Sequence, residues 1–357
     1  MKPVDVWVVG LGTVGRWLLR NLAAQAQRLR DRYGVAPRVV GVANARDGFV
    51  HREQGLDLPS LLALAESGNP IGDVAGARRW PTALEGLRAT EADVLVEVTA
   101  SPSGDGEPGL AHMREALRRR IPVVTSNKWP VALAGVELAQ QARSSGVAFR
   151  AESTVMSGTP VLSTLIDGLA GAAPMALRGV LNATANFVLT RMAEGAGYRE
   201  ALVEAQAAGL AERDPAADVE GQDTVAKVMI LSALVFGRQL RREQVPCRGI
   251  TDVQLEASDA ASRGARLKHV ATIDVSEGEP VVARVGPETL RADDPLARVD
   301  GTANAVVCKA SPLGEITITG PGAGPELAGQ GVLSDLIAVT GLMLSARSVS
   351  GTRTGEA

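Results

Sequence analysis

The stretch that decides the fold is Val4-Asp5-Val6-Trp7-Val8-Val9-Gly10-Leu11-Gly12-Thr13-Val14-Gly15. Its apolar, β-branched first half reads as a buried strand, and an amphipathic helical pattern follows to about Leu29. The G-x-G-x-x-G between them joins strand to helix. Gly10 permits the tight turn, Gly12 lets backbone approach a pyrophosphate, and Gly15 lets helix and strand pack closely. Thr13 and Val14 open the helix, where free N–H groups and the helix dipole favour an anion. The strand-turn-helix context separates this motif from an ordinary structural turn.

Working outward, strands are predicted at 39–43, 93–99, 122–125 and 147–150, with a helix over 109–120. This alternation predicts an α/β fold: a Rossmann-type doubly wound parallel sheet over residues 1–150. The character changes after Glu152. Helices are predicted at 160–169, 186–193, 198–209 and 223–236, and a strand at 178–181. Two strand pairs follow, 270–275 with 281–285 across a turn at 276–280, and 305–310 with 315–319. Residues 151–324 thus form an α+β second domain. An apolar helix at 329–345 is long enough to return and complete the first domain, at about 325–357, and the tail from Ser348 looks loose.

The 357 residues are 45% hydrophobic and 22% charged, which suits a globular protein of at least two domains. A net charge of −3 gives no electrostatic reason to expect nucleic acid or an anionic membrane as partner. Cys247 and Cys308 fit no metal spacing and read as buried small hydrophobes. With no signal-peptide pattern and no apolar stretch long enough to span a bilayer, the expectation is a soluble, cytoplasmic protein.

An acidic residue after the second strand would hold the ribose hydroxyls of NAD. Here Asn44 stands near that position and Arg46 follows, a pattern that suits the 2′-phosphate of NADP, with a solvated loop charge as the alternative. The densest polar cluster runs from Glu212 to Lys227. Asp223 and Lys227 stand four apart at the head of an apolar helix, so they share one face. A partly desolvated lysine there suits proton transfer, and the alternative is a surface ion pair. Glu212 and Asp218 can hold the ammonium and hydroxyl of an amino-acid substrate. Lys128 follows the strand at 122–125, and Thr99 and Ser101 follow the strand at 93–99. In a doubly wound sheet such positions face the ligand crevice, near the nicotinamide.

Taken in order, GLGTVG, VTSNKWPVALAG from Val124, ESTVMSGTPV from Glu152, GVLNATANFVLTRM from Gly179, GLAERDPAADVEGQDTVAKVMI from Gly209 and GPGAG from Gly320 make the chain resemble the homoserine dehydrogenases. It is similar to their short form, without a fused aspartate kinase or regulatory domain. The resemblance implies reversible NAD(P)-dependent reduction of L-aspartate 4-semialdehyde to L-homoserine, for threonine, methionine and isoleucine biosynthesis. It implies Lys227 as catalytic lysine, Lys128 as a second lysine by substrate and cofactor, and Glu212, Asp218 and Asp223 as the acids that bind the amino acid and orient the lysine. It further implies Thr184 in the substrate pocket, Gly322 in a glycine-rich turn over the cofactor, and a homodimer formed through the second domain. A structural sodium ion would sit at Glu152, Val155, Ser157 and Thr159. Two departures stand out: Ala183 and Ser157 replace glycines of the family, and they keep a related amino-alcohol open as substrate. A non-catalytic dinucleotide sensor is the rival from another class, and the paired lysines argue against it.

Overall fold

The computed structural model describes residues 3–275 and 280–352, with side chains described as far as Ser345. The turn expected at 276–280 therefore lies, except for Pro280, outside the described residues. The chain divides into two units. Met1–Val131, Glu137–Ser153 and Ala328–Ala357 form the first, and Ala132–Val136 with Thr154–Leu327 form the second.

The chain opens with β1 (Val4–Val9), α1 (Thr13–Ala24), α2 (Ala26–Tyr33), β2 (Pro37–Asn44), β3 (Gly48–His51), α3 (Leu58–Glu66), β4 (Arg78–Trp80) and α4 (Ala83–Ala89). Then come β5 (Val94–Glu97), α5 (Gly109–Arg118), β6 (Val123–Thr125), α6 (Lys128–Ser145) and β7 (Phe149–Arg150). The seven strands lie in the order β4-β3-β2-β1-β5-β6-β7. The five from β2 to β7 run parallel, as expected, with βα crossovers between them. The other two, β3 and β4, add antiparallel to the edge beyond β2 and were not legible in the sequence. Four and three residues long, and carrying His51, Arg78 and Arg79, they show no usable alternation. The ring of Phe49 fills the space under this edge because Gly41 and Gly86 leave it open. A Cβ on Gly86 would stand 2.1 Å from Phe49 Cδ1.

Helix α1 buries Gly15, Leu18, Leu19 and Leu22, the i, i+3, i+4, i+7 stripe of an amphipathic helix. The single helix expected to Leu29 breaks at Gln25 (φ −101°, ψ 10°), whose N–H still bonds to Asn21 O.

Farther along come α7 (Ser153–Met156), β8 (Ala173–Val180), α8 (Ala183–Ala193), α9 (Tyr198–Ala207), α10 (Ala216–Val219), α11 (Gln222–Val235) and α12 (Gln254–Ser262). The remaining strands are β9 (Arg266–Asp274), β10 (Val282–Leu290), β11 (Ala303–Ser311) and β12 (Gly314–Pro321). They form an antiparallel sheet, β10-β9-β8-β11-β12, in which both expected strand pairs appear. Val188, Leu189, Met192, Ala201, Val219 and Ile250 make the core beside it. The fully buried Lys268 ammonium donates to Asn186 Oδ1 (3.1 Å), Val299 O (2.5 Å) and Asp300 Oδ1 (2.8 Å), which pins the turn before β11 to helix α8.

The last helix, α13 (Pro325–Thr352), is longer than expected and continues as helix past Ser348, where a loose tail was expected. Pro325–Ser345 also corrects the expectation that no stretch could span a bilayer. By length and composition it is apolar enough, with a mean hydropathy of 1.5. Its Val332, Leu333, Leu336 and Val339 nevertheless belong to the first unit's core, with Val6, Val8, Leu18 and Leu22. A Cβ on Gly329 would come 2.3 Å from the Trp17 ring, so this glycine allows α13 to lie close upon α1. Cys308 is buried as expected, but Cys247 is exposed, its thiol donating to Glu220 O at 3.2 Å.

Candidate active site

Each glycine of the first turn meets a different constraint. Gly10 holds φ +112°, and a Cβ there would lie 2.6 Å from the carbonyl carbon of Val98 and 2.7 Å from Thr99 N. A Cβ on Gly15 would stand 2.0 Å from Gly10 O, which is tighter than any backbone tolerates. Around Gly12 nothing lies within 4 Å of such an atom. The turn thus packs tightly on its protein side and leaves its backbone open at Gly12, where α1 begins with exposed Thr13 and half-buried Val14. That cradle fits a pyrophosphate, whose charge the N-terminus of α1 would stabilise.

At the end of β2, the Arg46 guanidinium does not stand free. It donates to both oxygens of Asp47 (2.9 and 3.0 Å), to Gly68 O (2.8 Å) and to Asn69 O (2.7 Å). Asp47, which went unnoticed in the sequence, also accepts from the Asn44 amide at 2.8 Å. The hydrogen bond from Arg46 is the main reason its carboxyl sits at about 2, below the usual carboxylate value. Because that side chain is only 5% exposed, it is no ribose ligand of the ordinary kind.

Thr99 and Ser101 follow β5, and Lys128 is the first residue of α6. Asn127 draws these segments together: its amide donates to Thr99 Oγ1 (3.0 Å) and Ser101 Oγ (2.8 Å).

In the second unit, Lys227 is 6% exposed, and its Nζ lies 2.8 Å from Asp223 Oδ2 and 2.5 Å from Leu181 O. Burial decides against the surface ion pair. The i, i+4 spacing sets the pair, and Gly221 starts the helix in the left-handed region (φ +84°), where a Cβ would meet Cys247 Sγ at 2.6 Å. Asn182, which the sequence did not single out, bridges two acids, its Nδ2 donating to Asp218 Oδ1 (2.7 Å) and Asp223 Oδ2 (3.1 Å). At the same time its Oδ1 caps α8 through Ala185 N. The structure therefore brings Asp218, Asp223 and Lys227 together. Glu212 is exposed, and the buried Thr184 hydroxyl donates to Leu210 O (2.8 Å).

Ala183 lies in helix α8 with no positive φ, so its methyl group costs the backbone nothing. Ser157 does occupy the left-handed region (φ +52°), a conformation that favours glycine. Its hydroxyl donates to the carbonyl of buried Gly322 (3.2 Å), and Thr159 Oγ1 donates to Pro321 O (3.0 Å). Val155 is buried, and the Glu152 N–H is taken by Asp335 (2.8 Å). These hydroxyls are committed to carbonyls of the 321–322 segment, and nothing here supports a sodium ion.

The open glycine turn at the head of a doubly wound sheet defines a dinucleotide-binding protein, and the second unit adds a buried lysine–carboxylate pair. Comparison with known proteins narrows this. Residues 160–337 match the family model for homoserine dehydrogenase, and residues 10–152 match that for the homoserine dehydrogenase NAD binding domain. An NAD(+)-dependent homoserine dehydrogenase of Pseudomonas canavaninivorans is 38% identical over 94% of this chain and 96% of its own. The homoserine dehydrogenase of Methanocaldococcus jannaschii is 34% identical over 94% and 98%. A hyperthermophilic archaeal homoserine dehydrogenase solved in complex with NADPH superposes with a TM-score of 0.79 at 30% identity, covering 95% of this chain and 98% of that one. This chain belongs to the homoserine dehydrogenase family.

Proposed function

We propose that the protein interconverts L-aspartate 4-semialdehyde and L-homoserine, with Lys227 as the proton-transfer group. The observation that carries this reading is the largely buried Lys227–Asp223 pair, braced by Leu181 O and Asn182. A bound dinucleotide supplies the hydride in one direction and accepts it in the other. As the semialdehyde oxygen gains charge, the Lys227 ammonium donates its proton, directly or through a water; in reverse the amine takes it back. Asp223 and Leu181 O aim that nitrogen. Glu212 and Asp218 supply negative charge for the substrate's ammonium, Thr184 shapes the pocket beside them, and Lys128 offers a second cation. Mixing purified protein with L-homoserine and NADP or NAD should give homoserine-dependent nicotinamide absorbance. Folded protein that binds a dinucleotide yet stays silent with both would sink the proposal.

For the cofactor, we propose a preference for NADP, read by Arg46, which is exposed and held rigid by Asp47 at the end of β2. One specific observation favours NAD instead: Asp47 and two carbonyls already occupy most of the guanidinium's donors. Arg46→Ala decides between them. If Arg46 reads the phosphate, NADP affinity should fall roughly tenfold, the loss of about one charged hydrogen bond, while NAD affinity holds. Equal NADP affinities before and after would remove Arg46 as the reader of the phosphate, and the ratio of wild-type affinities for NADP and NAD then decides the preference.

A further inference from the structure

The Glu97 carboxylate, at the end of β5, is fully buried and touches no solvent, yet it links the turn after β5 to the start of α6, the segments that the sequence assigns to the nicotinamide side of the crevice. Oε1 accepts from the Thr99 hydroxyl and from Thr99 N (3.3 Å), and stands 3.6 Å from Nδ1 of the buried His112 on α5. Oε2 accepts from the Asn127 amide at 3.0 Å. The main-chain oxygen of Glu97 adds two more links, accepting from Thr125 Oγ1 (2.8 Å) and Ser126 N (3.3 Å). Gly109 completes the packing, since a Cβ there would press on Asn127 Nδ2 at 2.5 Å and Ser101 Oγ at 2.8 Å.

A carboxylate at the end of an apolar strand is expensive to bury unless its lone pairs are filled, and here donors from two segments, Thr99 and Asn127, fill them. Those donors lie at or next to Thr99, Ser101 and Lys128, which the sequence assigns to the cofactor. We infer that Glu97 is a positioning residue: it sets the turn after β5 and the start of α6, and through them the seat of the nicotinamide ring. It does not touch the dinucleotide. This inference rests on the proposed dinucleotide site but not on the choice of substrate.

The test is direct binding, independent of turnover. Purified Glu97→Gln is titrated with NADPH, NADH and ADP-ribose, the last having no nicotinamide. The amide keeps the shape but turns one acceptor into a donor facing other donors. Affinity for the reduced dinucleotides should fall roughly tenfold, the size of one lost charged hydrogen bond, while ADP-ribose binds within about twofold of wild type. The double variant Glu97→Gln with Asn127→Asp reverses donor and acceptor across the 3.0 Å contact and should recover most of the loss. Should Glu97→Gln fail to fold, Asn127→Ala breaks the same link from the other side and is read by the same titrations. Equal losses for all three ligands would make Glu97 a general structural residue. Unchanged dinucleotide binding would remove the role altogether. Wild-type protein that binds none of the three would overturn the dinucleotide site itself, which separates that failure from this one.

Discussion

Lys227→Ala is expected to lower kcat by roughly 10²–10⁴-fold, the usual worth of acid-base catalysis. The substitution also takes its cation from the largely buried Asp223 and its ammonium donor from Leu181 O. Removing one partner of a buried ion pair costs about 3–5 kcal/mol, so lost stability must be told apart from lost chemistry. Lys227→Met keeps the stem and the packing, and comparing melting temperature with kcat across both variants makes the separation. A proton-transfer role requires kcat to fall in both while the methionine protein still binds dinucleotide. Turnover within a few-fold of wild type, in either variant, would transfer that role to another group.

The second large effect is expected at Gly15. An alanine methyl would have to sit 2.0 Å from Gly10 O, a backbone atom with no side-chain freedom to move aside. Helix α1 must then shift away from the glycine turn, and such overpacking costs about 1–3 kcal/mol and occasionally more. Gly15→Ala should lose both melting temperature and dinucleotide affinity, the latter by roughly 5–150-fold if the strain is released on the bound geometry. Gly12→Ala is the control. Its methyl meets no protein atom within 4 Å, so stability should hold while the dinucleotide, whose pyrophosphate approaches there, binds more weakly. Equal behaviour of the two variants would mean that the glycines are not divided between packing and ligand approach.

The contrast between these glycines was legible in the sequence because each role follows from backbone geometry in a strand-turn-helix unit. So was the Asp223–Lys227 pair, since helical periodicity alone places i and i+4 on one face. What escaped were contacts between segments far apart in the chain. Asn182 lies just ahead of the helix expected at 186–193, and nothing local reveals that its amide reaches acids 36 and 41 residues onward. Glu97 sits in an apolar run, where a single carboxylate gives no hint of which loops it holds. Asp47 was overlooked beside Arg46, although the pairing of the two changes what each can offer a ribose. Helix α12 buries only Ala257 and Ala260, too faint a stripe to read.

The first unit is assembled from chain segments far apart in sequence, because α13 returns from beyond Ala328 to cover the core begun by β1. On a ribosome adding about 5–20 residues per second, the glycine turn emerges early and then waits roughly fifteen to sixty seconds for the helix that closes over α1. The second unit is nearly contiguous and has all its residues available before then. Synthesis therefore imposes an inside-out order of maturation, with the unit that carries Lys227 able to settle first and the glycine turn's unit, though written first, finished last.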